Sequence, residues 1–198
     1  MDNRQKIACI VLAAGSSVRF GSPKQLAEFQ GKSLIQIAID VANSSKADYV
    51  FLVLGNSSSE ILEKLRLGRA QPVFNKNFEQ GISTSIKTGV ANLPDDATGL
   101  IIMVADQPYL TSHHLDMLIE RFLQSPENII ALSSHGEARN PVIIPYEMIP
   151  ALQELEGDEG ARALVKNNPE TILLEVSDPK VFADVDTKAS LLKLENES

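Results

Sequence analysis

Short, uninterrupted apolar runs punctuate this chain, and amphipathic stretches of helical period separate them. Residues 7–12 (IACIVL), 49–54 (YVFLVL) and 100–104 (LIIMV) offer no polar face to water, so each reads as a strand buried on both sides. Shorter runs at 71–74, 129–132, 142–144 and 172–176 extend the set. Between them, Ser33 caps a predicted helix through Asn43, with Leu34, Ile35, Ala38, Ile39 and Ala42 on one side. Ser57 with Glu60 fits a capping box ahead of Ile61, Leu62 and Leu65. Further helices are predicted at 82–92, after a Thr111 or Ser112 cap, and at 148–155, 161–166 and 188–194. Strand–helix alternation of this kind gives a mainly parallel sheet covered on both faces, an α/β fold. Ligands then bind beyond the carboxyl ends of the strands. With no repeat or long linker, residues 1–198 are expected to form a single domain.

No apolar run approaches the roughly 18 residues of a membrane helix, and the short run after Met1–Lys6 leads into a Gly/Ser/Arg/Lys segment that looks functional rather than cleaved. The chain is therefore expected to be cytoplasmic. Cys9 is the one cysteine, which excludes an internal disulfide and reads as a packed thiol. A formal net charge of −8 argues against nucleic acid or an anionic membrane as partner. An anionic small molecule would have to be held by local cations and backbone N–H groups.

The richest candidate is the segment leaving the first strand, LAAGSSVRFGSPKQL from Leu12 to Leu26. Its small residues, Ala13, Ala14, Gly15 and Ser16, let the backbone approach phosphates closely, while Arg19 offers a two-pronged contact and Lys24 a compact charge. It matches neither a Walker A loop nor a dinucleotide fingerprint, and it could equally be a Gly/Ser/Pro-rich surface loop. Asp106 follows LIIMV directly, where a carboxylate could bind Mg²⁺ or simply stabilise the turn before Pro108. Asp184 and Asp186 alternate around Val185 and would share one side of an extended segment. Gly81, Ser83 and Ser85 lie around a predicted helix start, with donors and acceptors for a base or ribose. Within 157–162 (GDEGAR), Arg162 could bind a phosphate or pair with Asp158 or Glu159. His113, His114 and His135 lack metal-ligand spacing, and Ser16 and Ser17 lack triad partners.

In order along the chain, LAAGSSVRFGSPKQL, GISTSIKTG, VADQP, GDEGAR and VDT resemble the molybdenum cofactor cytidylyltransferases, a branch of the MobA-like nucleotidyltransferases. The resemblance implies a three-layer sandwich with a Rossmann-like nucleotide-binding half, similar to the GT-A fold. It also implies transfer of CMP from CTP to the phosphate of molybdopterin carrying molybdenum. The products would be molybdopterin cytosine dinucleotide, destined for a molybdenum hydroxylase, and pyrophosphate. Carried over by position, Leu12–Ser16, Arg19, Lys24, Gly81, Ser85 and Asp106 would hold the nucleotide. Asn140, Asp158 and Arg162 would hold the acceptor, and Asp106 and Asp186 the Mg²⁺. Arg19, Lys24 and Asp106 would be catalytic. Two departures stand out: Arg139-Asn140-Pro141 replaces a Gly-His-Pro common in relatives, and Asp186 and Thr187 are followed by Lys-Ala-Ser rather than Pro-Glu-Asp. The alternatives are transfer from GTP or ATP by a relative in the same superfamily, or a binding module that hands the cofactor to a hydroxylase.

Overall fold

The computed structural model describes residues 4–15, 20, 23–55 and 58–196. In chain order its elements are β1 (Ile7–Ala13), β2 (Glu28–Phe29), β3 (Lys32–Ser33), α1 (Leu34–Ser44), β4 (Tyr49–Leu54), α2 (Ser58–Glu63), β5 (Gln71–Phe74), α3 (Ile82–Val90), β6 (Gly99–Val104), α4 (Ser112–Gln124), β7 (Ile130–Ser134), β8 (Glu137–Pro145), α5 (Ile149–Leu152), α6 (Arg162–Asn167), β9 (Ile172–Glu175) and α7 (Lys188–Asn196). Seven strands make one sheet in the order β5-β4-β1-β6-β8-β7-β9, while β2 and β3 pair as a small separate hairpin. Only β8 runs against the others, pairing antiparallel with both β6 and β7.

All seven residues of β1 are buried, as a central strand covered on both faces requires. Ile7, Cys9, Val11 and Ala13 join one core layer with the inner faces of α1 and α4. Ala8, Ile10 and Leu12 join the opposite layer, with Ile86 of α3, Leu152 of α5 and Val165 of α6. The period-two alternation of a strand thus divides one apolar run between two cores, giving the three-layer α/β arrangement. Each fully buried Ile or Leu side chain here contributes roughly 1.5–3 kcal/mol relative to exposure.

Ser33 caps α1 through Oγ, which accepts from the Gln36 N–H. Thr111 and His114 exchange hydrogen bonds at the start of α4, giving one of the two histidines there a capping role. Some boundaries differ from the sequence reading. The helix expected over 148–155 is only the single turn of α5 after a 3₁₀ turn, because Pro150 lacks an N–H and suits only a first turn. The helix expected to reach residue 92 ends at Val90, just before the Leu93-Pro94 stop. Strand β8 spans Glu137–Pro145 rather than 142–144, since its polar start pairs with β7 across a hairpin turn. The Ser57 member of the capping box lies outside the described residues. No helix among the described residues is long and apolar enough to cross a membrane.

Candidate active site

β1 and β6 lie side by side with Leu12 level with Val104, so the loops after them leave the sheet at the same height. The Ala105 N–H donates to the Leu12 carbonyl at 3.1 Å, which prolongs the pairing, and Asp106 lines the same cavity as Ala14 and Gly15. From the other end of the chain, the Val185 N–H donates to the Asp106 carbonyl at 2.9 Å. The Val185 side chain is fully buried with Phe20, Phe29, Leu34 and Leu194. Burying this valine anchors the segment and leaves Asp184 and Asp186 flanking it. The segment has no regular strand, yet the alternation read from sequence serves the same end.

Lys24, carried by a 3₁₀ turn over Lys24–Leu26, closes the arrangement. Its Nζ donates to Asp106 Oδ2 at 2.7 Å and to Asp186 Oδ1 at 3.2 Å. Residues separated by 82 and 162 positions thus meet on one ammonium. Burial works to lower the Lys24 pKa, but the charges of Asp106 and Asp186 and their hydrogen bonds outweigh it and hold the ammonium above its ordinary range. The Asp184 pKa is raised as well: burial and the neighbouring Asp106 charge push it up, against a 3.0 Å hydrogen bond from Gln107 Nε2. Asp106 Oδ1 is buried and accepts no hydrogen bond among the described residues, an unusual state for a carboxylate oxygen.

Two adjoining cavities open at this edge. The smaller, about 400 Å³, is lined by Leu12, Ala13, Ala14, Gly15, Lys24, Gly81, Ser85 and Asp106, together with Gln25 and Phe78. The larger, about 850 Å³, contains Asn140, Arg162 and Lys166. Leu12, Ile82, Val104 and Asp158 line both, so the two spaces share a wall. Among the described residues, the other nucleotide candidates line the smaller cavity and Asn140 and Arg162 the larger, while Leu12 and Asp158 line both. Asp186 joins them through Lys24; Ser16 and Arg19 lie outside the described residues.

Local packing explains this shared wall. Gly81 has φ +104°, and a Cβ there would run into the Gly157 backbone. The Ser83 N–H donates to the Gly157 carbonyl at 3.1 Å, seating the 157–162 loop on the start of α3. Asn75 donates to Thr84 Oγ1 at 2.8 Å and to Ser85 Oγ at 3.0 Å, which fixes the Ser85 hydroxyl at the cavity edge. Arg162 makes no ion pair with Asp158 or Glu159; among the described residues neither its guanidinium nor the Asp158 carboxylate has a partner. Reading the sequence missed Gln25, Phe78 and Lys166. A lone glutamine, phenylalanine or lysine carries no motif, although Gln25 stands next to Lys24.

An open edge of strand ends, a small-residue loop and converging aspartates define the α/β nucleotidyltransferase fold. Residues 9–172 match the MobA-like NTP transferase domain, and the chain belongs to that family. It is 31% identical over 189 residues to the purine catabolism protein PucB of Bacillus subtilis, covering 90% of each chain. It is 26% identical over 193 residues to nicotine blue oxidoreductase of Paenarthrobacter nicotinovorans, covering 93% of this chain and 94% of that one. Among solved structures, Rv0371c of Mycobacterium tuberculosis superposes with a TM-score of 0.87 at 27% identity, covering 97% of this chain and 98% of that one. A manganese complex of that protein superposes at 0.84 with 25% identity, covering 98% and 100%.

Proposed function

We propose that this protein is a divalent-metal-dependent cytidylyltransferase that joins CMP from CTP to the terminal phosphate of molybdenum-carrying molybdopterin. The observation that carries this reading is the Lys24 ammonium held between Asp106 and Asp186, with Lys24 and Asp106 in the wall of the smaller cavity. An acceptor phosphate oxygen attacks the α-phosphorus of CTP, the bond to the β-phosphate oxygen breaks, and pyrophosphate leaves. The nucleophile is already ionised, so no strong general base is required. The obstacle is repulsion between two polyanions, which fixed cations and loop N–H groups offset.

In this reading Asp106 and Asp186 would hold a Mg²⁺ ion. Among the described residues no three His, Cys, Asp or Glu side chains cluster closely enough to hold a metal unaided. Mg²⁺ takes one or two carboxylates and would complete its shell with phosphate oxygens and water. The unpartnered, buried Asp106 Oδ1 suits such a hard cation, and the manganese complex of Rv0371c is consistent with divalent-metal use. When bound, the ion neutralises charge on the phosphates in the transition state. Lys24 neutralises the departing pyrophosphate, and Arg19 is assigned to the triphosphate by its motif. Leu12–Ser16, Gly81 and Ser85 hold the nucleotide, while Asn140, Asp158 and Arg162 hold the acceptor. Delivery of the product to a molybdenum hydroxylase would follow synthesis.

The test is pyrophosphate release by purified protein with molybdenum-loaded molybdopterin, Mg²⁺ and CTP, GTP or ATP in turn. Release with CTP alone is expected. Release with GTP alone would keep the reaction class and overturn the base assignment, and no release with any nucleotide would overturn the reading.

A further inference from the structure

The loop that follows β1 can cradle a polyanion only if its carbonyl oxygens face away from the cavity. Each carbonyl carries partial negative charge, and one turned inward would cancel the attraction of a neighbouring N–H. The carbonyls of Ala13, Ala14 and Gly15 all have identifiable positions. Gln25 Nε2 donates to the Ala13 carbonyl at 2.9 Å and to the Gly15 carbonyl at 2.8 Å. The Ala14 carbonyl packs over Gly55, lying 2.6 Å from the point a Cβ would occupy there. Gln25 is 7% exposed, so these hydrogen bonds are shielded from competing water.

From this geometry we infer that Gln25 is a positioning residue for nucleotide binding, acting with Gly55 to draw three successive carbonyls into the protein. The inference rests on the nucleotidyl-transfer reading for its ligand, a triphosphate in the smaller cavity. An amide suits this position because its NH₂ group can donate to two oxygens at once. A carboxylate of the same shape would meet those oxygens with negative charge and no donor. At Gly55 the constraint is steric. A side chain would strike the Ala14 carbonyl on one side and Phe78 Cβ, 2.8 Å away, on the other.

Two variants probe the two supports separately. Gln25→Glu keeps volume and removes donation, whereas Gly55→Ala pushes on the middle carbonyl without touching Gln25. Calorimetric titration with inorganic tripolyphosphate reads triphosphate affinity without turnover or acceptor. Both variants are expected to bind it at least tenfold more weakly than the natural sequence. In the coupled assay, the nucleotide KM should rise by a similar factor while the acceptor KM stays within twofold. Unchanged tripolyphosphate affinity in both variants would overturn the inference. So would a parallel rise of both KM values with a lowered melting temperature, which marks a purely structural role. If the natural protein binds tripolyphosphate but turns over no nucleotide, the transferase reading fails, while the binding comparison still tests Gln25.

Discussion

The two adjoining cavities are built by different means. The smaller takes residues 12–15 and 104–106 from the ends of β1 and β6, with Gln25 in its wall holding the Ala13 and Gly15 carbonyls and Gly55 packed against the Ala14 carbonyl. The larger is lined by residues of β8, of the 157–162 loop and of α6; its Arg162, and Asp158 on the wall shared with the smaller, lack partners among the described residues. A backbone site tolerates few sequences because its dimensions forbid larger side chains. A side-chain site can be rewritten by single substitutions while the fold stays intact. On the proposed reading, the smaller cavity is the fixed end, for phosphates, and the larger is the end that substitution can retune, for the acceptor.

Three substitutions press on this contrast, in decreasing order of effect. Asp106→Ala removes a carboxylate from the wall of the smaller cavity and should lower kcat by about 10²–10³-fold, the scale seen when one preorganised electrostatic group is removed from a transition state. Circular dichroism and melting temperature should be near those of the natural protein, because Lys24 retains Asp186. Normal pyrophosphate release by this variant would remove Asp106 from the chemistry.

Gly81→Ala should break the division between the cavities. Its φ of +104° with ψ of 171° is a glycine-only conformation, and the loop carrying Asp158 and Arg162 packs directly against it. Destabilisation of about 1–3 kcal/mol is expected from the backbone strain. Because the displaced loop belongs to the shared wall, both KM values should rise. A rise in only one would show that the wall is not shared in function. Arg162→Ala should have a more selective and smaller effect, raising the acceptor KM about tenfold, the low end for a hydrogen bond to a charged group on an exposed side chain. The nucleotide KM should not move, and steady-state titration of each substrate separates the two.

The backbone-built end was the more legible in sequence. Small residues directly after an apolar strand announce a close main-chain approach, and Asp106 directly after LIIMV announces a carboxylate at a strand end. Alternation around Val185 also marked Asp184 and Asp186, although only burial of the valine explains why that segment returns to Asp106. Sequence could not disclose the antiparallel direction of β8, since an apolar run looks alike in either orientation. Nor could it disclose Gln25, whose role depends on two carbonyls 10 and 12 residues away turning toward it. The side-chain end was least legible: Arg162 is equally able to pair locally or to wait for a ligand, and only coordinates separate those outcomes.

The smallest expected effect tests whether the fixed end is as rigid as this contrast demands. Cys9 lies in β1, four residues before Ala13 in sequence and wholly buried. Burial pushes its thiol from 9.0 up to about 12, with the charge of Arg69 opposing only in part. The raised value favours the neutral thiol in the folded state, so its contribution to stability is complete below about pH 9 and is lost as pH climbs toward 12. At pH 8 only about one thiol in 10⁴ would be thiolate, the reactive form. Native protein should therefore leave an aromatic disulfide reagent unreduced over an hour and lose no activity, while protein in guanidinium should react at one equivalent. Rapid reaction of the native thiol at pH 8 would mean that β1 opens to solvent under working conditions. A cavity whose walls are the continuation of that strand could not then be the rigid member of the pair.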